Sequence, residues 1–267
     1  MSGGAFGGLE VIARRPRGKA KSAPLLFIHG AYTAAWCWDE HFLPFFAECG
    51  YAAYALSVSG HGGSPGRDRL DSFGIDQYVK DVAAVAAQLP APPVLIGHSM
   101  GGMVAQKYLE GHEAAGLVLM ASVPPQGLWA AALGLAFQKP GLMTDLNNLL
   151  GGGRVALDAL REAMFAQPVG AEDLARWYRC MQPESHRAIW DMTLFNLPLK
   201  SRMHLPPLLV LGAEHDTLIP SSQVAMTARH YGVEAEIFPG MGHGMMLERD
   251  WAQVAGRIHD WLGEQAL

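Results

Sequence analysis

The sequence predicts an α/β fold: a mostly parallel central sheet, helices on both of its faces, and a helical cap inserted between two of its strands. Three observations carry this. Short apolar runs alternate with segments of helical period, and the runs are apolar at successive positions, as strands covered on both faces must be. One stretch, 124–205, breaks the alternation and contains no clear strand. Finally, one apolar run leads straight into a serine flanked by glycines that opens a helix.

In order along the chain, Pro24-Leu25-Leu26-Phe27-Ile28 is a strand ending at His29-Gly30, and residues 36–48 read as a helix. The run Tyr51-Ala52-Ala53-Tyr54-Ala55-Leu56 is a second strand, followed by a loop rich in Gly and Ser at 57–74. Residues 75–89 form a helix with Ile75, Val79, Val82, Ala83 and Ala86 on one face. Pro93-Val94-Leu95-Ile96 is a third strand, 100–111 a helix, and Gly116-Leu117-Val118-Leu119-Met120 a fourth strand. After the interruption the rhythm resumes with a strand at 208–211, a helix at 221–231, a short strand at 234–238 and a closing helix at 250–263. The core is therefore expected to span 1–123 and 206–267. The 124–205 segment is too long for a connecting loop and should carry structure of its own. It includes helical stretches at 154–167 and 171–182 and large side chains such as Trp129, Phe137, Phe165, Trp177 and Trp190. A plain extension of the core is the alternative reading; helical insertions beside the carboxyl edge of a sheet usually serve a site.

Composition narrows the function. Half of the 267 residues are apolar, which argues against disorder, and 20 basic against 25 acidic residues give a net charge of −5. No basic field is available for nucleic acid or an anionic membrane. The residues at 114–138 carry no formal charge, but Pro124-Pro125-Gln126-Gly127 divides them into pieces too short to span a bilayer. Three scattered cysteines form neither a disulfide framework nor a metal or redox pair. The opening MSGGAFGGLEVIARRPRGK lacks the apolar stretch of a secretory signal, so the expected location is cytoplasmic.

Gly97-His98-Ser99-Met100-Gly101 supplies the chemistry. A strand that turns this sharply into a helix holds its serine in a strained conformation and needs small neighbours two residues away on either side. The helix N-terminus then favours developing negative charge. Chain context decides, because Gly62-Gly63-Ser64-Pro65-Gly66 fits the same spacing. There, no strand leads in, no helix follows, and Pro65 has no N–H to donate, so Ser64 is a loop serine.

A serine hydroxyl needs a base, and the base needs an orienting acid. His243, in a loop between the last strand and the last helix, is the base candidate among 11 histidines. His230 and His259 fall within helices, His98 should point away from Ser99, and His29 and His61 are expected to brace loops. At the tip of the strand at 208–211 two acids are available, Asp216 and Glu214, and Asp216 is favoured because the turn continues through Thr217 to Pro220. The N–H groups of Met100 and Ala31 are the expected oxyanion donors. Hydroxyl, imidazole and carboxylate should then meet at one rim of the sheet. No HExxH, Walker or GxGxxG pattern is present, so neither metal nor cofactor is expected.

His29-Gly30-Ala31, Trp36-Cys37-Trp38, Gly60-His61-Gly62-Gly63-Ser64, Gly97 through Gly102, Asp216 through Pro220 and Gly242-His243 together resemble the α/β-hydrolase superfamily over the whole chain except the cap. The resemblance implies a serine hydrolase acting on small-molecule carboxylic esters through an acyl-enzyme. It is poorly specific for substrate, since carbon–carbon bond hydrolases and hydroxynitrile lyases share these motifs. Either of those activities, or a ligand receptor that keeps the pocket, stays open as an alternative. Serine at the elbow, where dehalogenases and epoxide hydrolases carry aspartate, argues against both of those. Tyr32, Trp129, Phe137, Trp190 and Met245 are the candidate substrate contacts, suggesting an apolar acyl or aromatic substrate. The sequence leaves oligomeric state open.

Overall fold

In the computed structural model, which describes residues 6–18, 20–129, 133, 141, 144 and 156–267, seven strands form one sheet in the order β1-β3-β2-β4-β5-β6-β7. The strands are β1 (Val11–Arg14), β2 (Leu25–Ile28), β3 (Ala53–Leu56), β4 (Val94–His98), β5 (Gly116–Met120), β6 (Leu208–Ala213) and β7 (Ala235–Phe238). All neighbours run parallel except β1, which pairs antiparallel with β3. From β2 the chain goes outward to β3 and then back to β4 on the other side. The crevice beyond the carboxyl ends of β2 and β4 is therefore the switch point where open α/β sheets bind ligands.

Alternate strand residues face opposite cores, which explains the unbroken apolar runs. On one face Leu25, Phe27, Val94, Ile96 and Val118 pack under α1 (Trp36–Asp39), α2 (Phe42–Glu48) and α9 (Trp251–Glu264). Phe27 anchors this side, its ring 5.0 Å from Trp38 and 5.6 Å from Phe46. On the other face Leu26, Ile28, Leu95, Leu117 and Leu119 meet α3 (Ile75–Ala86), α4 (Met100–Tyr108) and α8 (Ser221–Tyr231). Burial of these side chains on both faces is the main source of stability, at about 25 cal/mol per Å² of apolar surface.

Three local details differ from the sequence expectation. The helix read at 36–48 is two short helices broken at Glu40-His41. Pro44 explains the break: it lacks an N–H and clashes with the residue four before it, so it is tolerated in the first turn of a new helix and not inside a continuous one. Strand β1 was not predicted at all, because its edge position buries just Val11 among its four residues. The 57–74 loop also contains a 3-10 turn, Arg67–Ser72.

Between β5 and β6 the described residues form α5 (Leu157–Met164), α6 (Ala171–Cys180) and α7 (His186–Trp190). A π turn, Asp191–Phe195, and a 3-10 turn, Lys200–Arg202, follow. Phe165, Leu174 and Trp177 join the first core, while Ala188 and Met192 join the second. Among the described residues no helix is long and apolar enough to cross a membrane.

Candidate active site

The turn from β4 into α4 has the expected strain. Ser99 has φ 52 and ψ −117, a left-handed conformation that a residue with a side chain adopts at some cost. The surrounding backbone enforces it: Ser99 N–H donates to Met120 O at 3.1 Å, and Ser99 O accepts from Gly102 N at 3.0 Å and Val123 N at 3.1 Å. A Cβ at Gly97 would lie 2.5 Å from the Gly101 carbonyl oxygen, and one at Gly101 would collide with the Ile28 carbonyl. Both flanking glycines are thus required by backbone approach.

Across the crevice, β6 ends at Ala213 and delivers Asp216, while the loop after β7 delivers His243. His243 Nδ1–H donates to Asp216 Oδ2 at 2.7 Å, with the imidazole side chain 4% and the carboxylate 0% exposed. The other carboxylate oxygen, Oδ1, accepts the N–H groups of Leu218 and Ile219, each at 2.8 Å. The turn running on to Pro220 therefore fixes the acid, and the acid fixes the tautomer that leaves the Nε2 lone pair of His243 available. Glu214 is directed elsewhere: it is exposed, and its carboxylate accepts from Gly240 N at 2.9 Å. The Ser99 hydroxyl makes no hydrogen bond among the described residues, so the imidazole–carboxylate half of the expected relay is formed and the hydroxyl–imidazole half is not. Such bonds commonly tighten when substrate binds.

What brings the base loop to the elbow is His98, whose role the sequence did not disclose. Its Nε2–H donates to the His243 carbonyl at 2.9 Å, and the two rings lie 4.6 Å apart at 52°. Burial, followed by the neighbouring His243, holds His98 well below the usual histidine range, so it is a neutral donor. Glu248 was also missed. It is buried and accepts three backbone N–H groups: Gly242 at 2.7 Å, Ala166 at 2.8 Å and Gln167 at 3.2 Å. It therefore ties the base loop to the segment after α5, which Gly244 N also joins by donating to Met164 O at 2.7 Å.

The turn after β2 faces the elbow directly: a Cβ at Gly30 would lie 3.2 Å from Ser99 Cβ. Neither the Ala31 nor the Met100 amide finds an acceptor among the described residues. Tyr32 follows in a left-handed conformation, φ 65, with its carbonyl accepting Gln182 N–H at 3.0 Å. Of the remaining candidate contacts, Met245 is fully buried in the first core beside His243. Trp129 and Trp190 are 53% and 57% exposed, and the Trp190 ring packs on Phe195 at 6.1 Å. Both indoles lie at the surface, and the buried side of α7 is carried by Ala188. Phe137 lies outside the described residues. Ser64 braces its loop, donating to Ser57 O at 2.6 Å and accepting from Glu10 N at 2.9 Å. Among the described residues no group of three or more His, Cys, Asp or Glu side chains is placed to hold a metal ion.

The sequence profile described as "Alpha/beta hydrolase family" matches residues 25–257. A pyrethroid hydrolase of Sphingobium wenxiniae is 29% identical over 102 residues, 37% of this chain and 35% of that protein. A rice protein named "Probable esterase PIR7A" (Oryza sativa subsp. indica) is 34% identical over 108 residues, 38% of this chain and 40% of that protein. The chain thus matches well under half the length of these relatives. Among solved structures, the bromoperoxidase from Bacillus anthracis superimposes with a TM-score of 0.70 at 20% identity, covering 96% of this chain and 95% of that one, a likeness of fold alone.

Proposed function

This chain belongs to the alpha/beta hydrolase family, and on that premise we propose that it is a serine esterase whose nucleophile is Ser99, base His243 and orienting acid Asp216. The observation that carries the reading is the buried Asp216–His243 bond, at 2.7 Å, on a loop that His98 fastens to the serine's own turn. Ser99 Oγ attacks the ester carbonyl while His243 Nε2 takes its proton. The carbonyl oxygen, now an anion, receives the Ala31 and Met100 N–H groups. The tetrahedral species collapses to the acyl-enzyme as His243 returns the proton to the departing alcohol. Water, deprotonated by the same ring, then attacks the acyl carbon and releases the acid and free Ser99. Asp216 stabilises the imidazolium in both halves.

The described residues of the insertion before β6, 156–205, form a cap over this site. In support, its residues hydrogen-bond the base loop through Met164 and Glu248 and the oxyanion turn through Gln182. The Phe165 ring and the Met164 side chain pack on Gly244 next to His243, and Met245 is buried two residues beyond that base, which favours apolar acyl or aromatic esters as the substrate class. The relative named as a probable esterase supports ester cleavage in general.

Fluorophosphonate labelling combined with hydrolysis of para-nitrophenyl esters of increasing chain length tests the proposal. Ser99→Ala should lose both labelling and turnover, and His243→Ala should lose turnover, while Glu214→Ala should retain most of it. Equal loss in Glu214→Ala would overturn the acid assignment, and labelling that persists in Ser99→Ala would overturn the nucleophile.

A further inference from the structure

Behind the oxyanion turn lies a buried charged cluster that the proposed reaction does not use. His61 and Glu184 are both fully buried, and they face each other at 3.0 Å between Nε2 and Oε2. The other ring nitrogen of His61 lies 3.1 Å from Ser59 O, an atom that can only accept. Glu184 Oε1 is taken by two donors, Tyr78 O–H at 2.8 Å and Ser185 N–H at 2.7 Å. With both imidazole nitrogens facing acceptors, the arrangement suits an imidazolium paired with a carboxylate. Burial pulls His61 down, but the charge and hydrogen bond of Glu184 leave it raised; burial pushes Glu184 up, and His61 outweighs this to leave it lowered.

The pair touches the oxyanion turn by two routes. The His61 ring lies 5.1 Å from that of His29. His29 is a neutral ring of defined tautomer: Val58 N–H donates to its Nε2 at 3.2 Å, so Nδ1 carries the proton and donates to Gly30 O at 2.8 Å. Burial, then the adjacent His61 charge, lowers His29 to about 3. Thr33 Oγ1–H also donates to Gly30 O, at 2.9 Å. Because the Gly30 carbonyl and the Ala31 N–H belong to one planar peptide, fixing the oxygen aims the amide. The second route is the cap backbone: two residues before Glu184, Gln182 N–H holds the Tyr32 carbonyl, while the Gln182 side chain accepts from Gly62 N at 2.8 Å and donates to Gly60 O at 3.2 Å.

We propose that Glu184 is a positioning residue for the oxyanion turn: paired with His61 and Tyr78, it pins cap residues 182–185 to the loop after β3 and so aims the Ala31 N–H at the reacting carbonyl. The inference rests on the esterase reading above. Glu184 touches no substrate; its effect passes through His61, His29 and Gln182. Loss of one oxyanion donor typically costs about 10²–10³-fold in kcat, so a misaimed donor should cost roughly 10–100-fold.

The test compares Glu184→Gln and Glu184→Ala with the wild-type chain by para-nitrophenyl acetate kinetics and by hydrogen exchange of peptides covering 29–33. Both variants should lose kcat by roughly 10–100-fold with KM changed less than threefold, Glu184→Gln at the lower end because it keeps the shape but not the charge. Exchange in 29–33 should rise while that of β4 and α4 stays unchanged. Should Glu184→Ala not fold, Glu184→Gln decides. Wild-type kcat together with unchanged exchange at 29–33 overturns the proposal. A wild-type chain that neither labels nor turns over esters overturns the esterase reading instead, and the exchange arm still decides whether Glu184 holds the turn.

Discussion

Asp216 divides its carboxylate between two tasks, one oxygen for the Leu218 and Ile219 amides and one for His243. Asp216→Asn can keep the first task with its amide oxygen, but its NH₂ then faces Nδ1 and forces the wrong imidazole tautomer. The variant is expected to fold normally and to lose about 10³–10⁴-fold in kcat, as measured on any ester the wild type turns over. The residues of this proposed relay were legible in the sequence because each follows the end of a strand and carries a local signature: small neighbours for Ser99, a turn ending in proline for Asp216, a glycine-flanked loop for His243. His98 and Glu248 were not legible in role. Their partners are backbone groups far away in the chain, the His243 carbonyl for one and the Ala166 and Gln167 amides for the other, and no local pattern encodes such a meeting.

Among the elements, the strands of the sheet centre were readable because burial on both faces demands continuous apolar runs, whereas β1, with one buried side chain, left no such trace. The base loop is an element held from outside itself. Glu248 gathers N–H groups from both the loop and the segment after α5, and burial pushes its carboxyl upward against those three hydrogen bonds. Glu248→Ala orphans them, at about 1–3 kcal/mol for each buried group left unpaired. Thermal denaturation should show a midpoint roughly 5–20 °C lower. Glu248→Gln, whose amide oxygen can still serve Gly242 and Ala166, should lie between that variant and the wild type.

For the molecule as a whole, the insertion is bound into both cores and, through Glu184 and His61, carries a buried ion pair. Removing one partner of such a pair costs about 3–5 kcal/mol. His61 is raised, so its contribution is complete below the ordinary histidine range and is lost as pH climbs through the raised value. Glu184 is lowered, so its contribution is complete above the ordinary carboxylate range and is lost as pH falls through the lowered value. Arg67, His29, Tyr78 and Asp81 also face the pair and bias its titration. Urea denaturation of wild type and Glu184→Gln should therefore differ most between about pH 5 and 6.5 and converge on either side. A gap that stays constant from acid to alkaline pH would contradict this.

Strand β5 finds its neighbour β6 only after the entire insertion has been made. A chain emerging from the ribosome at about 5–20 residues per second presents β5 with one open parallel edge for several seconds, its apolar side chains already outside the tunnel. The nascent protein thus carries its proposed nucleophile early and its proposed acid and base late, and the centre of its sheet cannot close until the whole insertion between β5 and β6 has been synthesised.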